Sequence, residues 1–254
     1  MPLKDLREFI SLLEDRGELK RISVPVATEL EMTELADRAV KSGGPAMLFE
    51  NVQGHETPVV INLFGTHQRM AWALGVDDIE DLTARLMKLL DLAQGPPSGV
   101  MGKVRALGDI LGVARSQPKV VRRGPCQEVV VLGDDVDLGI LPTIRCWPGD
   151  AGPYITLPLV VSRDPESGRR NVGMYRMQVY DRSTTGMHWQ THKGGAQHYR
   201  TGEQRRLDRM DVAVAIGGDP TTMWSGSMPL PPDMDEFAVA GLIRQDPVEL
   251  VKCK

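Results

Sequence analysis

Residues 171–195 read NVGMYRMQVYDRSTTGMHWQTHKGG. The first ten have the β-branched and aromatic content of a strand; the rest carries glycines, hydroxyls and histidines at a spacing that fits no helix. Working outward, the same texture recurs at Glu128 to Leu132, Tyr154 to Val161, Asn171 to Tyr180 and Asp211 to Ile216, each run closed by Gly, Pro or Asp. Short punctuated strands of this kind predict a barrel or sandwich rather than a doubly wound sheet. Helical spacing returns at EFAVAGLIR, within Asp235 to Arg244.

Upstream of Gln117 and Pro118 the character differs, and residues 1–118 read as a mixed α+β unit without concentrated chemistry. Leu6, Phe9, Ile10 and Leu13 form one apolar stripe of a helix from Leu3 to Gly17, with Gly17 at its C-cap. Leu19 to Val26 is β-leaning. A second helix is expected from Thr28 to Lys41, with Thr28 as N-cap, Glu31 completing a capping box, and Leu35, Ala36 and Val40 facing inward. Two short strands, Ala46 to Asn51 and Pro58 to Leu63, follow a Gly43–Gly44 stop. Further helices are expected at Gln68 to Leu74, Asp78 to Ala93 and Gly102 to Ala114, the last two joined by GPPSG.

Composition excludes several classes. An apolar content of 41% and a charged content of 25% over 254 residues are those of a globular protein with a sizeable core. The formal charge of −4 and the scattered basic residues argue against a nucleic-acid surface. MPLKDLREF lacks the order of a signal peptide, and no run approaches the roughly 18 apolar residues of a membrane helix, so a cytoplasmic protein is expected. Cys126, Cys146 and Cys253 form no CxxC pair and predict neither a disulfide framework nor a zinc site. At the other end, ELVKC at 249–253 reads as a strand just beginning, and the natural polypeptide is expected to continue past it.

Residues 171–195 hold the densest set of site-capable groups. On one regular strand Asn171 and Arg176, five apart, would point to opposite faces and so flank a site. Gly173 between them marks either a bulge or a close approach to the backbone. Arg176 is equally readable as an ion-paired strand residue, and Asn171 as a strand-entry residue. His188 and His192 have the spacing of paired metal ligands but not the helix to present them, and polar loop histidines fit as well. With Glu236, itself equally readable as a solvated first-turn residue, Asn171 and His192 would make a set suited to Mn²⁺ or Mg²⁺. Lys193, Gly194 and Gly195 could cradle a phosphate, or form a plain turn. In WSGSMPLPP (224–232), Met228 suits a flat aromatic ring or a gap in the core.

In order along the chain, MPLKDLREFISLLEDRGELKRI, NLFGTHQRMAWALG, LPTIRCWPGDAGPYIT, RNVGMYRMQV, THKGGAQHY, WSGSMPLPP and DEFAVAGLIRQDPVELVKC resemble the UbiD-type decarboxylases, which use prenylated flavin mononucleotide (FMN). The resemblance implies an N-terminal α+β domain (1–118) and a split β-barrel flavin-binding domain (119–254), the latter incomplete, with a C-terminal oligomerisation domain in full-length members. By position, Asn171, His192 and Glu236 match the ligands of a divalent ion, usually Mn²⁺, that bridges to the flavin phosphate, with K⁺ a further candidate ion. Met174, Tyr175, Arg176, His188, Trp189, Gln190, Lys193, Gly194, Ser227, Met228 and Pro229 fall at cofactor contacts. Arg176 matches the arginine of the family's Glu-Arg-Glu catalytic network.

In that chemistry an azomethine ylide of the cofactor adds to an aromatic or α,β-unsaturated acid, carbon dioxide leaves, and a carboxylic acid returns the proton. Both glutamates of the network lie beyond the ELVKC strand, so the 254-residue chain alone is expected to be catalytically poor unless a second chain completes it. Two other classes fit the same residues: a split-barrel flavin reductase and a non-catalytic subunit of a split decarboxylase.

Overall fold

The computed structural model describes residues 2–84, 87, 112–231 and 234–253. The first helix, α1 (Leu6–Asp15), starts where the Asp5 side chain accepts the Glu8 N–H at 2.9 Å, and it buries Phe9 and Leu13. Gly17 follows its end at φ 72°, a left-handed conformation that glycine adopts without a Cβ penalty. Strand β1 (Leu19–Ile22) pairs in parallel with β2 (Ala46–Phe49), which pairs antiparallel with β3 (Val59–Ile61), giving the order β1-β2-β3.

Helix α2 spans Glu31–Lys41 and corrects the expected start. Residues 28–30 are held instead against Arg145: the Arg145 N–H donates to the Thr28 carbonyl at 3.2 Å, and the Leu30 N–H to the Arg145 carbonyl at 2.9 Å. Leu30 takes the N-cap position at φ 63° with no side-chain cap, and Glu31 reaches back to the Ala27 N–H at 2.8 Å. The buried stripe is accordingly Met32 and Ala36 with Leu35 and Ala39 against it, while Val40 is exposed, one position off the stripe.

Helix α3 (His67–Ala73) is capped by the Thr66 hydroxyl, which accepts the Arg69 N–H at 3.2 Å. Arg69 is fully buried, where Nη1 meets Glu18 at 2.7 Å and the Gly44 carbonyl at 3.1 Å. Residues 79–84 and 112–115 are helical, and the other residues of the helices expected over 78–93 and 102–114, with GPPSG between them, lie outside the described residues.

From residue 119 onward the described strands form small sheets, none of which closes into a barrel. Strand β4 (Lys119–Val120) pairs in parallel with the late β11 (Glu249–Leu250). Strands β5 (Tyr154–Ile155), β8 (Met177–Val179) and β9 (Thr185–Met187) make one antiparallel sheet in the order β5-β8-β9. Strands β6 (Pro158–Arg163), β7 (Arg170–Met174) and β10 (Val212–Ile216) make another in the order β10-β6-β7. Helix α4 (Gly194–Gln204) packs on β6 and β7, and α5 (Pro220–Ser225) packs on α6 (Glu236–Arg244).

Three strand expectations change. Residues 128–132 are not a strand: they run between 3₁₀ turns at Pro125–Gln127 and Gly133–Asp135 with Val129, Val130, Val131 and Leu132 exposed. A β-branched run with no strand beside it gains no ladder and no buried face. The runs 154–161 and 171–180 each divide between the β5-β8-β9 and β10-β6-β7 sheets, so Asn171 and Arg176 do not share a strand and their expected opposition on its two faces does not arise.

The two parts of the chain share a core. Leu74 and Leu82 pack with Val239 and Ile243 of α6, and the buried Thr221 hydroxyl donates to the Ala73 carbonyl at 2.8 Å. A second cluster, Leu159, Val172, Phe237, Ala240 and Val248, seats α6 on the β10-β6-β7 sheet. No described helix is long and apolar enough to cross a membrane.

Candidate active site

Strand β7 delivers Asn171 to the N-terminus of α4. A Cβ on Gly194 would lie 2.0 Å from Asn171 Oδ1, and one on Gly195 would lie 2.7 Å from Trp189 Nε1. Any side chain at these positions would therefore displace the site, which is why two poor helix formers open a helix here. Tyr175, 6% exposed, ties the parts together: its hydroxyl accepts Asn171 Nδ2–H at 3.2 Å and the Gly195 N–H at 3.1 Å. That fold-back is why residue 173 is glycine, since a Cβ there would lie 2.3 Å from the Tyr175 ring. The close approach at Gly173 is thus to the chain's own tyrosine.

Glu236 is buried rather than solvated. Asp235 caps α6 by accepting the Phe237 N–H at 2.9 Å and the Ala238 N–H at 3.3 Å, and Arg170 pairs with Asp235 while its guanidinium stacks over Phe237. The cap and the ion pair turn the Glu236 carboxylate inward onto β7, where Oε2 accepts the Val172 N–H at 3.0 Å. Burial pushes the Glu236 carboxyl above its ordinary value, opposed by the backbone N–H bonds. Glu236 thus bonds the backbone of the residue that follows Asn171 on β7. His192 is exposed two residues before α4, and among the described residues no three His, Cys, Asp or Glu side chains cluster as a metal site.

Arg176 lies where the chain crosses from β7 to β8. It forms a two-pronged ion pair with Asp150, Nη1 to Oδ1 at 3.0 Å and Nη2 to Oδ2 at 2.6 Å, and lies 3.8 Å from the centre of the Tyr154 ring. Asp150 Oδ2 also accepts the N–H groups of Cys146 and Trp147 at 3.2 and 3.1 Å. Hydrogen bonding from Arg176, foremost, holds the Asp150 carboxyl below its ordinary value. The sequence reading missed Asp150. It lies inside the quoted CWPGDAGPY segment, but its partner is 26 residues away and no spacing rule connects them.

The remaining expected residues distribute around this frame. The His188 N–H donates to the Arg176 carbonyl at 3.0 Å, and the Lys193 N–H to the Gln190 carbonyl at 3.0 Å, so HWQTHK wraps from Arg176 to the start of α4. Trp189 Nε1 is buried there without a partner, a donor beside the glycine pair. The Met174 N–H donates to the Gly226 carbonyl at 3.0 Å, which brings the SMP loop to β7. Within that loop the Ser227 hydroxyl donates to the Trp224 carbonyl at 2.7 Å, Pro229 is exposed, and Met228 packs against the Leu74–Leu82–Val239–Ile243 cluster.

These residues fit an anionic group with a hard divalent ion. Lys193 at the N-cap of α4 makes no side-chain cap, Gly194 carries no Cβ beside its amide, Trp189 offers an unused N–H, Asn171 Oδ1 lies against Gly194, and Glu236 presents a carboxylate at Val172, the next residue of β7.

The α+β fold is one shared with solved UbiD-class enzymes. The chain matches the 3-octaprenyl-4-hydroxybenzoate carboxy-lyase Rift-related domain over residues 119–254 and the N-terminal domain of the same enzyme over residues 10–87. It belongs to the UbiD family. An uncharacterized protein of Archaeoglobus fulgidus is 45% identical over the whole chain, which corresponds to 51% of that protein. Among solved structures, vanillic acid decarboxylase of Sedimentibacter hydroxybenzoicus in closed form superposes with a TM-score of 0.82 at 28% identity, over 100% of this chain and 51% of that one. The UbiD-class enzyme HmfF of Pelotomaculum thermopropionicum in complex with FMN gives 0.79 at 28%, over 98% of this chain and 51% of that one. An evolved dimeric form of HmfF, in complex with prenylated FMN, gives 0.79 at 28% over 98% and 53%. The chain thus spans about half the length of the relatives it matches.

Proposed function

We propose that the chain is the flavin-binding part of a cytoplasmic carboxy-lyase that decarboxylates, reversibly, an aromatic or α,β-unsaturated acid with prenylated FMN. In this reading residues 1–118 are the α+β unit and 119–254 a split barrel that further polypeptide completes, in the same chain or in a second one, with homo-oligomers formed at full length. The observation that carries it is that Asn171 lies against the start of α4 while the buried Glu236 carboxylate bonds the next residue of the same strand.

Asn171, His192 and Glu236 would hold Mn²⁺ or Mg²⁺ against the flavin phosphate, with K⁺ as a further ion, and the Gly194 amide, with the Lys193 side chain, would meet that phosphate. Met174, Tyr175, Arg176, the segment His188 to Gln190 and the loop Ser227 to Pro229 would border the ring. The cofactor, when bound, supplies the electron sink for loss of carbon dioxide. Arg176, held flat by Asp150 and Tyr154, presents its outer N–H groups to a carboxylate, either the substrate's or a glutamate from the completing polypeptide that returns the proton. A metal held between Asn171, His192 and Glu236 would count against a split-barrel flavin reductase, which needs none. Titrating the purified chain with FMN in the presence and absence of Mn²⁺ tests the reading: metal-dependent binding is expected, and binding indifferent to metal and to Glu236→Gln would refute it.

A further inference from the structure

Ser162 and His198 form a buried pair that the proposed chemistry does not use. Ser162, on β6, is 2% exposed and lies directly across from Asn171 in the β6–β7 register. Its hydroxyl lies 2.9 Å from Nδ1 of His198, which is 8% exposed on α4, one helical turn beyond Gly194. The two residues leave no opening for a substrate, so the pair does not read as a nucleophile with its base. Burial lowers the His198 pKa, and Asp164 opposes it, favouring a neutral imidazole that exchanges one hydrogen bond with Ser162.

The position of this bond is informative. Helix α4 opens on Gly194 and Gly195, which give its first turn high backbone freedom, and its N-cap residue, Lys193, supplies no side-chain cap. Its amides can favour an anion only if they are held still relative to Asn171. Two attachments do this: the Tyr175 hydroxyl at the Gly195 N–H, and His198 at Ser162 one turn later. One ends on Tyr175, the residue after β7, and the other on Ser162 of β6 opposite Asn171, so α4 is pinned at two points along its axis.

We infer that Ser162 and His198 are positioning residues that fix the amino end of α4 for the flavin phosphate. This rests on the reading of that end as a phosphate site. Removing either partner frees the second pin and weakens only what the helix end holds.

The test compares FMN with riboflavin, which lacks the phosphate, by quenching of flavin fluorescence, alongside thermal melting. The unsubstituted chain should prefer FMN. Ser162→Ala and His198→Ala should lower FMN affinity about 10- to 100-fold, the range for residues one step behind a ligand contact, with riboflavin affinity unchanged. His198→Asn, whose amide branches where Nδ1 sits, should restore much of the preference. If both alanine variants melt lower yet keep the full FMN-to-riboflavin ratio, the pair is only structural and the inference falls. If the unsubstituted chain shows no preference for FMN, the phosphate reading fails, and the inference with it. Should His198→Ala not fold, Ser162→Ala, which removes a single oxygen, decides the matter.

Discussion

Glu236 is a carboxylate kept where an apolar or amide group would be more stable. Its folded-state pKa lies above the unfolded value because burial outweighs the N–H bonds it accepts. Such a group binds more protons folded than unfolded, so its contribution is fully present below the unfolded pKa of 4.5 and is lost as pH rises through the folded pKa. Glu236→Gln, which can still accept the Val172 N–H, should therefore melt roughly 2–4 °C higher than the parent at pH 7 without metal, the two curves converging near pH 4. Mn²⁺ should raise the melting temperature of the parent but not of the variant. A parent that melts no lower at pH 7 would remove the argument that this carboxylate is retained for function. Asp150 has the opposite sign: Arg176 lowers its pKa, so its contribution is present above the unfolded value and lost as pH falls through the folded one. Asp150→Asn should reduce the urea midpoint at neutral pH, and the difference should vanish only in acid below the ordinary carboxylate range.

At the scale of elements, the site is a junction of β7 and α4 with no slack. Gly194→Ala should cost about 1–3 kcal/mol as Asn171 is pushed aside, measured by denaturant unfolding, and should abolish FMN preference over riboflavin. A neutral outcome on both counts would mean that Asn171 can move away at no cost. These elements also show what the sequence could carry. The stripe Phe9 and Leu13 in α1 and the helical spacing of EFAVAGLIR in α6 follow from period, and both are legible without a fold. Residues 129–132 mislead because strand formation depends on a neighbour that a one-dimensional pattern does not contain. The break between Met174 and Met177 is hidden for the same reason: the Met174 N–H leaves its ladder for the Gly226 carbonyl, 52 residues along the chain. Asn171, Lys193, Gly194 and Glu236 stood out by chemistry and by the UbiD likeness, whereas Asp150, Ser162 and the Tyr175 knot depend on distant pairings.

Across the whole molecule, the N-terminal unit has a part in the site. Helix α6, which presents Glu236, lies with Val239 and Ile243 against Leu74 and Leu82, while its other side meets Leu159 and Val172 of the sheet that bears Asn171. Leu74, at 1% exposure, is the N-terminal unit's fully buried contact in that joint. Leu74→Ala should cost about 2–5 kcal/mol and also weaken the Mn²⁺ response, because α6 loses its support on one side. A loss of stability with an unchanged metal response would confine the N-terminal unit to a scaffold role.

Arg176 offers a guanidinium already satisfied on one edge by Asp150, and no described carboxylic acid faces its other edge among the contacts it makes. Proton return needs such an acid within hydrogen-bond reach, and the relatives carry about as much polypeptide again. The 254-residue chain, reconstituted with prenylated FMN and Mn²⁺, should bind cofactor yet release little carbon dioxide from a panel of aromatic and unsaturated acids. Co-expression with the second half of the Archaeoglobus fulgidus relative should restore release, and Arg176→Lys in the mixture should lower it sharply, since an ammonium cannot reproduce the two-pronged pairing. Brisk turnover by the chain alone would show that the acid comes from within residues 1–254, and would send the search back to the carboxylates of this chain.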